Sequence, residues 1–160
     1  MPDLELLKEQ ILDTWDINQK MNLLLIDHTS DAGLAKTLSS RGGRTVYQQW
    51  IHIHQVRMKW IETQRVELPS AIPAPEKDQR IDRAALKAAL SGSGNGIRLV
   101  LIQDWDRGGQ VKGFRKGIIP FLGYLISHES HHRGNIILTL KQSGEKIPDQ
   151  IKWGLWEWGK

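Results

Sequence analysis

Histidines at helical spacing are the clearest chemical signal in the chain. Three of its six histidines, His128, His131 and His132, fall within one apolar stretch. On a helix, His128 and His132 lie on the same face one turn apart, where two imidazoles can share a metal ion. That face also carries Phe121 and Leu125 and points toward a core. The alternative is therefore a pair of buried histidines bonded to carboxylates or to the backbone.

The composition limits the ligands and partners. The 160 residues are the size of one domain, 1–160, and they include no cysteine, so a metal site must use histidine and carboxylate ligands. The net charge is +4, but the 22 basic residues are spread among 18 acidic ones, which disfavours nucleic-acid binding. No apolar run suits a membrane span, and the acidic start does not resemble a secretory signal, so we predict a soluble, cytoplasmic protein.

Apolar periodicity predicts four long amphipathic helices, of which two lie in the first half of the chain. The first helix covers about 2–27, and a further turn or two follows within 33–40. The second helix begins at Thr45, which can form a capping box with Gln48, and continues to about Val66.

The third and fourth helices follow a proline-rich loop. The third begins at Asp82 and continues to about Trp105 through the glycine-rich stretch 91–96, which can let another helix approach closely. The alternative is a loop at 91–96 that splits this segment in two. The fourth covers about 118–142. A short helix capped near Asp149 is expected to lay four apolar side chains on the bundle: Trp153, Leu155, Trp156 and Trp158.

Four such helices predict an all-α four-helix bundle with a short C-terminal helix or tail. Bundles of this kind build metal sites from inward side chains on facing helices, so His52 or His54 of the second helix can join the pair on the fourth. Three histidines leave coordination positions open to water or substrate. Periodicity favours His54, which has apolar neighbours on a helical projection, whereas His52 lies among glutamines and a lysine.

Three motifs carry a resemblance to a known family. Residues 128–136 read H-E-S-H-H-R-G-N-I, 140–144 read L-K-Q-S-G, and R-T-V at 44–46 is followed by His52 six residues after the valine. They resemble the DinB family of DinB/YfiT-like metalloenzymes, which are bacterial four-helix bundles, with Asn135 where the family has glutamine. The resemblance covers nearly the whole chain.

The resemblance implies the ligands and the class of function. One divalent metal ion would be bound by His52, His128 and His132, so the family spacing selects His52 over His54. Imidazole ligands suit zinc, nickel, iron or manganese. Some relatives are S-transferases that use low-molecular-weight thiols, so the resemblance implies a metal-dependent transferase or hydrolase, and members are commonly dimeric.

Two alternative functions stay open. The spelling H-E-x-x-H at 128–132 is that of zinc metallopeptidases, with Glu129 as general base and Glu145 or Glu157 as the third ligand. The other alternative is a non-catalytic metal-binding or stress-response module, because the sequence offers no convincing general base or nucleophile. Whether the chain is an enzyme is thus undecided by its sequence.

The remaining conspicuous residues receive structural roles. His54 and His131 are expected in a core or an interface, and His28 is expected on the surface. Arg133 is expected to have a structural role. Glu129 is expected to be a surface carboxylate rather than a hydrogen-bond acceptor for a ligand histidine. The seven tryptophans exceed what a lone bundle needs, so a homodimer is predicted. Four of them are expected partly outside one core: Trp50, Trp60, Trp153 and Trp156.

Overall fold

Helices dominate the architecture. A computed structural model describes residues 4–75 and 80–159, and within these ranges there is no β-strand, only an isolated bridge between Val111 and Phe114. The helices are α1 Leu4–Asp27, α2 Asp31–Leu34, α3 Val46–Gln64, α4 Arg83–Asp106, α5 Ile118–Gln142 and α6 Asp149–Gly154. The predicted all-α bundle with a short C-terminal helix is confirmed. Pro2, which was expected in the first helical turn, lies outside the described residues.

The four long helices, α1, α3, α4 and α5, form the bundle. Both α4 and α5 pack between α1 and α3, on opposite sides. The helices α3 and α4 run in the same direction, because Arg57 contacts Leu90 and, further along both helices, Gln64 contacts Gln103. A parallel pair needs a crossover connection, and the long stretch 65–82 provides it. The second and fourth helices of the bundle, α3 and α5, are thus neighbours.

Local sequence signals determine where the helices begin. Thr45 accepts a hydrogen bond from the Gln48 backbone and the Gln48 side chain bonds back to the Thr45 backbone, so the predicted capping box is present. Asp82 caps α4 through the backbone of Ala85, also as predicted. The short α2 begins earlier than expected, because Ser30 caps it at Asp31.

The glycine-rich stretch of α4 is helical, as predicted, and it brings the neighbouring helices close. A Cβ atom added to Gly94 would lie 2.4 Å from the Gln19 side chain of α1, and one added to Gly96 would lie 2.4 Å from Ile61 of α3. The carbonyl oxygen of Gly94 also accepts a hydrogen bond from the Trp15 indole at 2.8 Å. The cost of glycine within a helix is therefore offset by close packing on both sides.

The apolar core is divided by a polar layer. One cluster includes Trp50 and Leu140, and the other, toward the opposite end of the bundle, includes Trp15 and Phe121. Between them along the helices, α1, α3 and α5 each contribute buried polar or charged side chains: Asn18, Asn22, Arg57 and Glu129. A buried charge is tolerated only when it is paired, so this layer is expected to be internally bonded.

The C-terminal tail docks through aliphatic residues, with its tryptophans outside. Ile151 of α6 is buried, but Trp153 and Trp156 are 72% and 79% exposed. The expectation that the tail lays these tryptophans on the bundle is therefore wrong, because a six-residue helix has one docking face and Ile151 occupies it. Trp50, which was expected partly outside the core, is fully buried.

Within residues 4–75 and 80–159, every helix is too short or too polar to cross a lipid bilayer.

Asp104 provides a test of the packing at one end of α4. Its side chain is 0% exposed, and neither carboxylate oxygen has a hydrogen-bond partner among the described residues. Burial raises the pKa of Asp104 from 3.8 to about 6, against an opposing effect of the Arg107 charge. The folded state thus holds a proton that the unfolded state releases, and stability falls as the pH rises from about 4 to about 6.

We therefore predict that Asp104→Asn raises the free energy of unfolding at pH 7 by up to about 3 kcal/mol and has little effect below pH 4. Urea unfolding between pH 3.5 and 7.5 measures this difference. The matched control is Asp13→Asn, an exposed position on α1, which should stay within about 0.5 kcal/mol of the original. An Asp104→Asn effect that does not vary with pH would contradict the assignment.

Candidate metal centre

Three histidines meet between α3 and α5. His52 lies on α3, His128 and His132 lie on α5, and one ring nitrogen from each falls within 4.8 Å of the others. The Nε2 atoms of His52 and His128 are 3.3 Å apart. Two nitrogens bound at zinc distances of ~2.0–2.1 Å in a tetrahedral site would lie roughly 3.3 Å apart. The geometry therefore suits three imidazoles around one ion.

The protonation of these histidines also suits a metal. Burial, followed by the neighbouring His128 and His52, lowers the pKa of His132 to about 4, and burial lowers the pKa of His128 as well. Both rings are therefore neutral near pH 7, which is the form that binds metals. The buried Nδ1 atom of His132 has no hydrogen-bond partner among the described residues. An unsatisfied buried nitrogen within a histidine cluster fits the donor set that a divalent ion requires.

His54 lies apart from this cluster. It is buried, and it hydrogen bonds with the backbone of Ala89 on α4. Periodicity favours His54 because apolar residues surround it on α3. These apolar residues form the face of α3 that packs on α4. The face toward α5 contains the half-buried His52 among polar residues. The histidine that lies beside His128 and His132 is therefore His52, the one that the family spacing implies.

The other two histidines lie at the surface. His131 is exposed and contacts the side chain of Asn135 at 3.1 Å, so a core position is wrong, and an interface position stays a prediction. His28 is exposed at the end of α1, as predicted, and its Nδ1 atom is 2.9 Å from the carbonyl oxygen of Leu24.

Glu129 is a central buried residue, and the expectation that it is a surface carboxylate is wrong. It is 1% exposed and accepts hydrogen bonds from Arg57 Nε at 2.6 Å and Arg57 Nη2 at 2.8 Å. Asn18 and Asn22 each donate to its Oε2 atom at 2.7 Å. The adjacent ring of His128 belongs to the cluster, whereas Glu129 points into the polar layer of the core.

Charge pairing keeps this buried carboxylate ionised. Burial would raise the pKa of Glu129, but the Arg57 charge and the bonds from Arg57 and the two asparagines outweigh it, so the pKa is lowered. The Arg57 guanidinium also lies 4.9 Å from the centroid of the Trp15 ring, a cation–π contact, and donates to the Leu90 carbonyl. One arginine thus joins α3 to α1, α4 and α5.

Arg133 completes the buried layer. Its Nη1 atom donates to the Oδ1 atoms of Asn18 and Asn22 at 2.7 Å each, and its Nη2 atom donates to Ser130. These contacts agree with the structural role expected for Arg133, although its partners are amide and hydroxyl oxygens rather than a carboxylate or a helix end. The two asparagines therefore bridge Glu129 to Arg133, each using its donor and its acceptor.

Sequence periodicity did not identify Asn18, Asn22 and Arg57 as members of this layer, although a signal was present. Both asparagines occupy the apolar stripe of α1, four residues apart. Arg57 lies between Ile53 and Ile61 at the same spacing on α3. Polar residues at core positions on two helices indicate that buried partners exist.

Two different surfaces border the histidines. On one side, Tyr124 stacks on His128 with ring centroids 6.3 Å apart, and the aromatic rings continue through Trp60 and Phe114. On the other side, His132 lines an open cleft of about 320 Å³ together with Arg44. The cluster therefore lies between an aromatic wall and a polar opening to solvent.

Comparison with known families supports the resemblance that the motifs suggested. Residues 118–153 match the DinB family model. The DinB match covers α5 with His128 and His132 and continues into α6, whereas His52 lies outside it. Searches of curated proteins and of solved structures give no significant match. The predicted DinB resemblance is thus confirmed in the segment that carries two of the three histidines.

We predict that removing Arg57 destabilises the fold strongly, because Glu129 would remain buried without its charge partner. Arg57→Met should lower the free energy of unfolding by about 3–5 kcal/mol, and Arg57→Met combined with Glu129→Leu should lower it less than the single change. Urea denaturation measures both values.

The exposed pair of Lys152 and Asp149, at 2.8 Å, provides the control for ion pairs in general. Lys152→Ala should leave the free energy of unfolding almost unchanged. If the free energy of unfolding of Arg57→Met lies within about 1 kcal/mol of that of the original protein, the buried pair does not hold the helices together.

Proposed function

We propose that this protein is a metal-dependent enzyme that holds one divalent ion on His52, His128 and His132. The observation that carries the proposal is the approach of three histidine nitrogens to within 4.8 Å of one another, on two facing helices. The neutral state of His128 and His132 and the DinB match at α5 support it. The same imidazole set suits zinc, nickel, iron or manganese.

When bound, such an ion would supply Lewis acidity toward a thiol or a water molecule. The chain's own residues have separate tasks. The three imidazoles would hold the ion, and Arg57 with Glu129 would fix the rotation of α5 so that His128 and His132 face α3. The cleft beside His132 would admit the substrate, and the aromatic rings beyond His128 would limit access of water from the other side.

The reaction we propose is the transfer of a group to a low-molecular-weight thiol, or a hydrolysis. The support is the DinB resemblance together with a histidine cluster that borders an open cleft. A cytoplasmic location stays a prediction from the sequence, and it suits an abundant reduced thiol as co-substrate.

A non-catalytic metal-binding module is the second candidate, and one observation favours it. Within residues 4–75 and 80–159, the ligand group consists of three histidines without a carboxylate, and Glu129, which follows His128 in the chain, is bonded to Arg57. Substrate conversion by the metal-loaded protein separates this candidate from the enzyme.

The metallopeptidase alternative loses its main support. Both oxygens of Glu129 are occupied by Arg57, and the carboxylate is buried, so it is not available as a general base. Glu145, one suggested third ligand, accepts a hydrogen bond from Ser30 at 2.9 Å instead. His52 occupies the place beside the α5 pair.

We predict that zinc-loaded protein contains one equivalent of metal and that His52→Ala, His128→Ala or His132→Ala each weakens binding by more than about 100-fold. This exceeds the roughly 10–100-fold typical for residues that only support a ligand. Elemental analysis and competition with a chelator measure the affinity, and circular dichroism checks that the helices remain.

His54→Ala is the matched control, because it removes a second histidine of α3 that hydrogen bonds with Ala89 instead. It should keep one equivalent of metal, and so should Glu157→Ala. A folded His128→Ala/His132→Ala double variant that still holds one equivalent would refute the proposal.

We further propose that the protein is a homodimer that uses its C-terminal tail. Trp153 and Trp156 are among the most exposed large apolar side chains described; Trp153 belongs to α6, and Trp156 follows it. Trp60 is half-buried within aromatic rings, and Trp50 lies in the core, so the support for a dimer now comes from the tail. Tryptophan is enriched at protein interfaces, where its large area is buried.

Accordingly, sedimentation equilibrium at micromolar concentration should give a dimer. The double variant Trp153→Ser/Trp156→Ser should raise the Kd of dimer dissociation at least tenfold. Leu6→Ser, at an exposed apolar position on α1, serves as the control and should leave the dimer intact. A monomeric original protein would count against the proposal.

A further inference from the structure

The cleft beside His132 has a basic lining. Its volume is about 320 Å³, and its lining includes Arg44, Gln49, His131, His132 and Asn135. No acidic side chain lines it among the described residues. The cleft therefore combines a full positive charge with amide groups that can donate hydrogen bonds, and nothing negative balances them.

Arg44 is unusual among the arginines near the site. Arg57 and Arg133 bond within the buried layer, whereas Arg44 is exposed and its side chain makes no ion pair or hydrogen bond within residues 4–75 and 80–159. Arg44 lines the same cleft as His132, so its charge lies beside a member of the histidine cluster. An unpaired guanidinium at a concave surface attracts anions.

The backbone around Arg44 is held in place. Ser39 Oγ accepts a hydrogen bond from the Gly43 backbone at 2.9 Å, and Val46 donates to the Lys36 carbonyl at 2.9 Å. A side chain at Gly43 would collide with Ser39, with its Cβ only 2.3 Å away. The capping box at Thr45 then starts α3, so Arg44 is fixed directly before a helix N-terminus, the positive end of the helix dipole.

We propose that Arg44 binds an oxyanionic group, carboxylate or phosphate, of the substrate that occupies this cleft. The inference rests on the proposed function in one respect, namely that the cleft is the entrance to the metal centre. A guanidinium matches the two oxygens of a carboxylate or phosphate with two parallel hydrogen bonds, and Asn135 and Gln49 can add neutral ones. His132 lies in both the cleft and the histidine cluster, so an anion held at Arg44 would keep its reactive end beside the histidines.

The test is a titration of ¹⁵N-labelled protein, metal-free and zinc-loaded, with inorganic phosphate and separately with succinate. The metal-free arm excludes direct coordination of the anion by the ion. Constant ionic strength is required because an exposed guanidinium is screened by salt. The side-chain amide signals of Asn135 and Gln49 report occupancy of the cleft.

The variants are Arg44→Ala, Arg44→Lys and, as the matched control, Arg41→Ala. Arg41 lies in the same segment and is exposed, but it does not line the cleft. Arg44→Ala should raise the Kd at least tenfold, Arg41→Ala should stay within twofold, and Arg44→Lys should fall between because it keeps the charge and loses the paired donors.

Saturable, Arg44-dependent shifts with phosphate alone assign a phosphate ester, and shifts with succinate alone assign a carboxylate. The proposal is overturned if the original protein saturates with neither anion, or if Arg44→Ala binds as tightly as the original. If zinc fails to bind while Arg44-dependent binding persists in the metal-free protein, the metal centre fails and the anion site stands. If the protein binds stoichiometric zinc and Arg44→Ala binds the anions as tightly as the original protein, the metal centre is supported and the anion site is overturned.

Discussion

The ion pair between Arg57 and Glu129 is the constraint on which the rest of the structure depends. Both side chains are almost completely removed from water in the middle of the bundle. The desolvation of a buried pair is offset only by good geometry and further hydrogen bonds, and here two asparagines of α1 and a carbonyl of α4 provide them. All four bundle helices therefore meet at one polar layer, and a shift of any helix would break a buried bond.

This layer also determines where the histidines lie. Glu129 follows His128 directly on α5, so a carboxylate turned toward Arg57 and α1 leaves the preceding ring about 100° away, on the side of α3 that carries His52. His132 follows one turn later on nearly the same face as His128. A rotation of α5 about its axis would bury an imidazole and expose Glu129. The buried Arg57 opposes this rotation because it would lose its charge partner. The position of the cluster is thus a consequence of how a neighbouring charge is buried.

The sequence predicted the helices well because their signals are local. Capping residues Thr45 and Asp82, the apolar stripes and the glycine stretch each act within a few residues. It predicted Glu129 wrongly because burial of that carboxylate depends on Arg57, which lies more than 70 positions away in the chain. Periodicity chose His54 over His52 for a related reason. A helix with two neighbours has two inward faces, and the more apolar one faces α4.

The C-terminal tail is a second place where the local sequence did not predict burial correctly. Apolar composition predicted that the tryptophans would cover the bundle, but the length of α6 allows only one docking face, and Ile151 occupies it. Spacing and length thus decide burial where hydrophobicity alone does not.

The charges around the histidines explain why an anion would suit this site. Two arginines and one glutamate occupy the buried layer, which leaves one positive charge uncompensated below the cluster, and Arg44 adds another at its rim. Positive neighbours keep imidazoles neutral and available as ligands, but they also oppose a divalent cation. Three neutral ligands contribute no negative charge of their own. The electrostatic balance would therefore be restored by what enters the cleft, and a thiolate or an oxyanion would be stabilised there more than a neutral molecule of the same size.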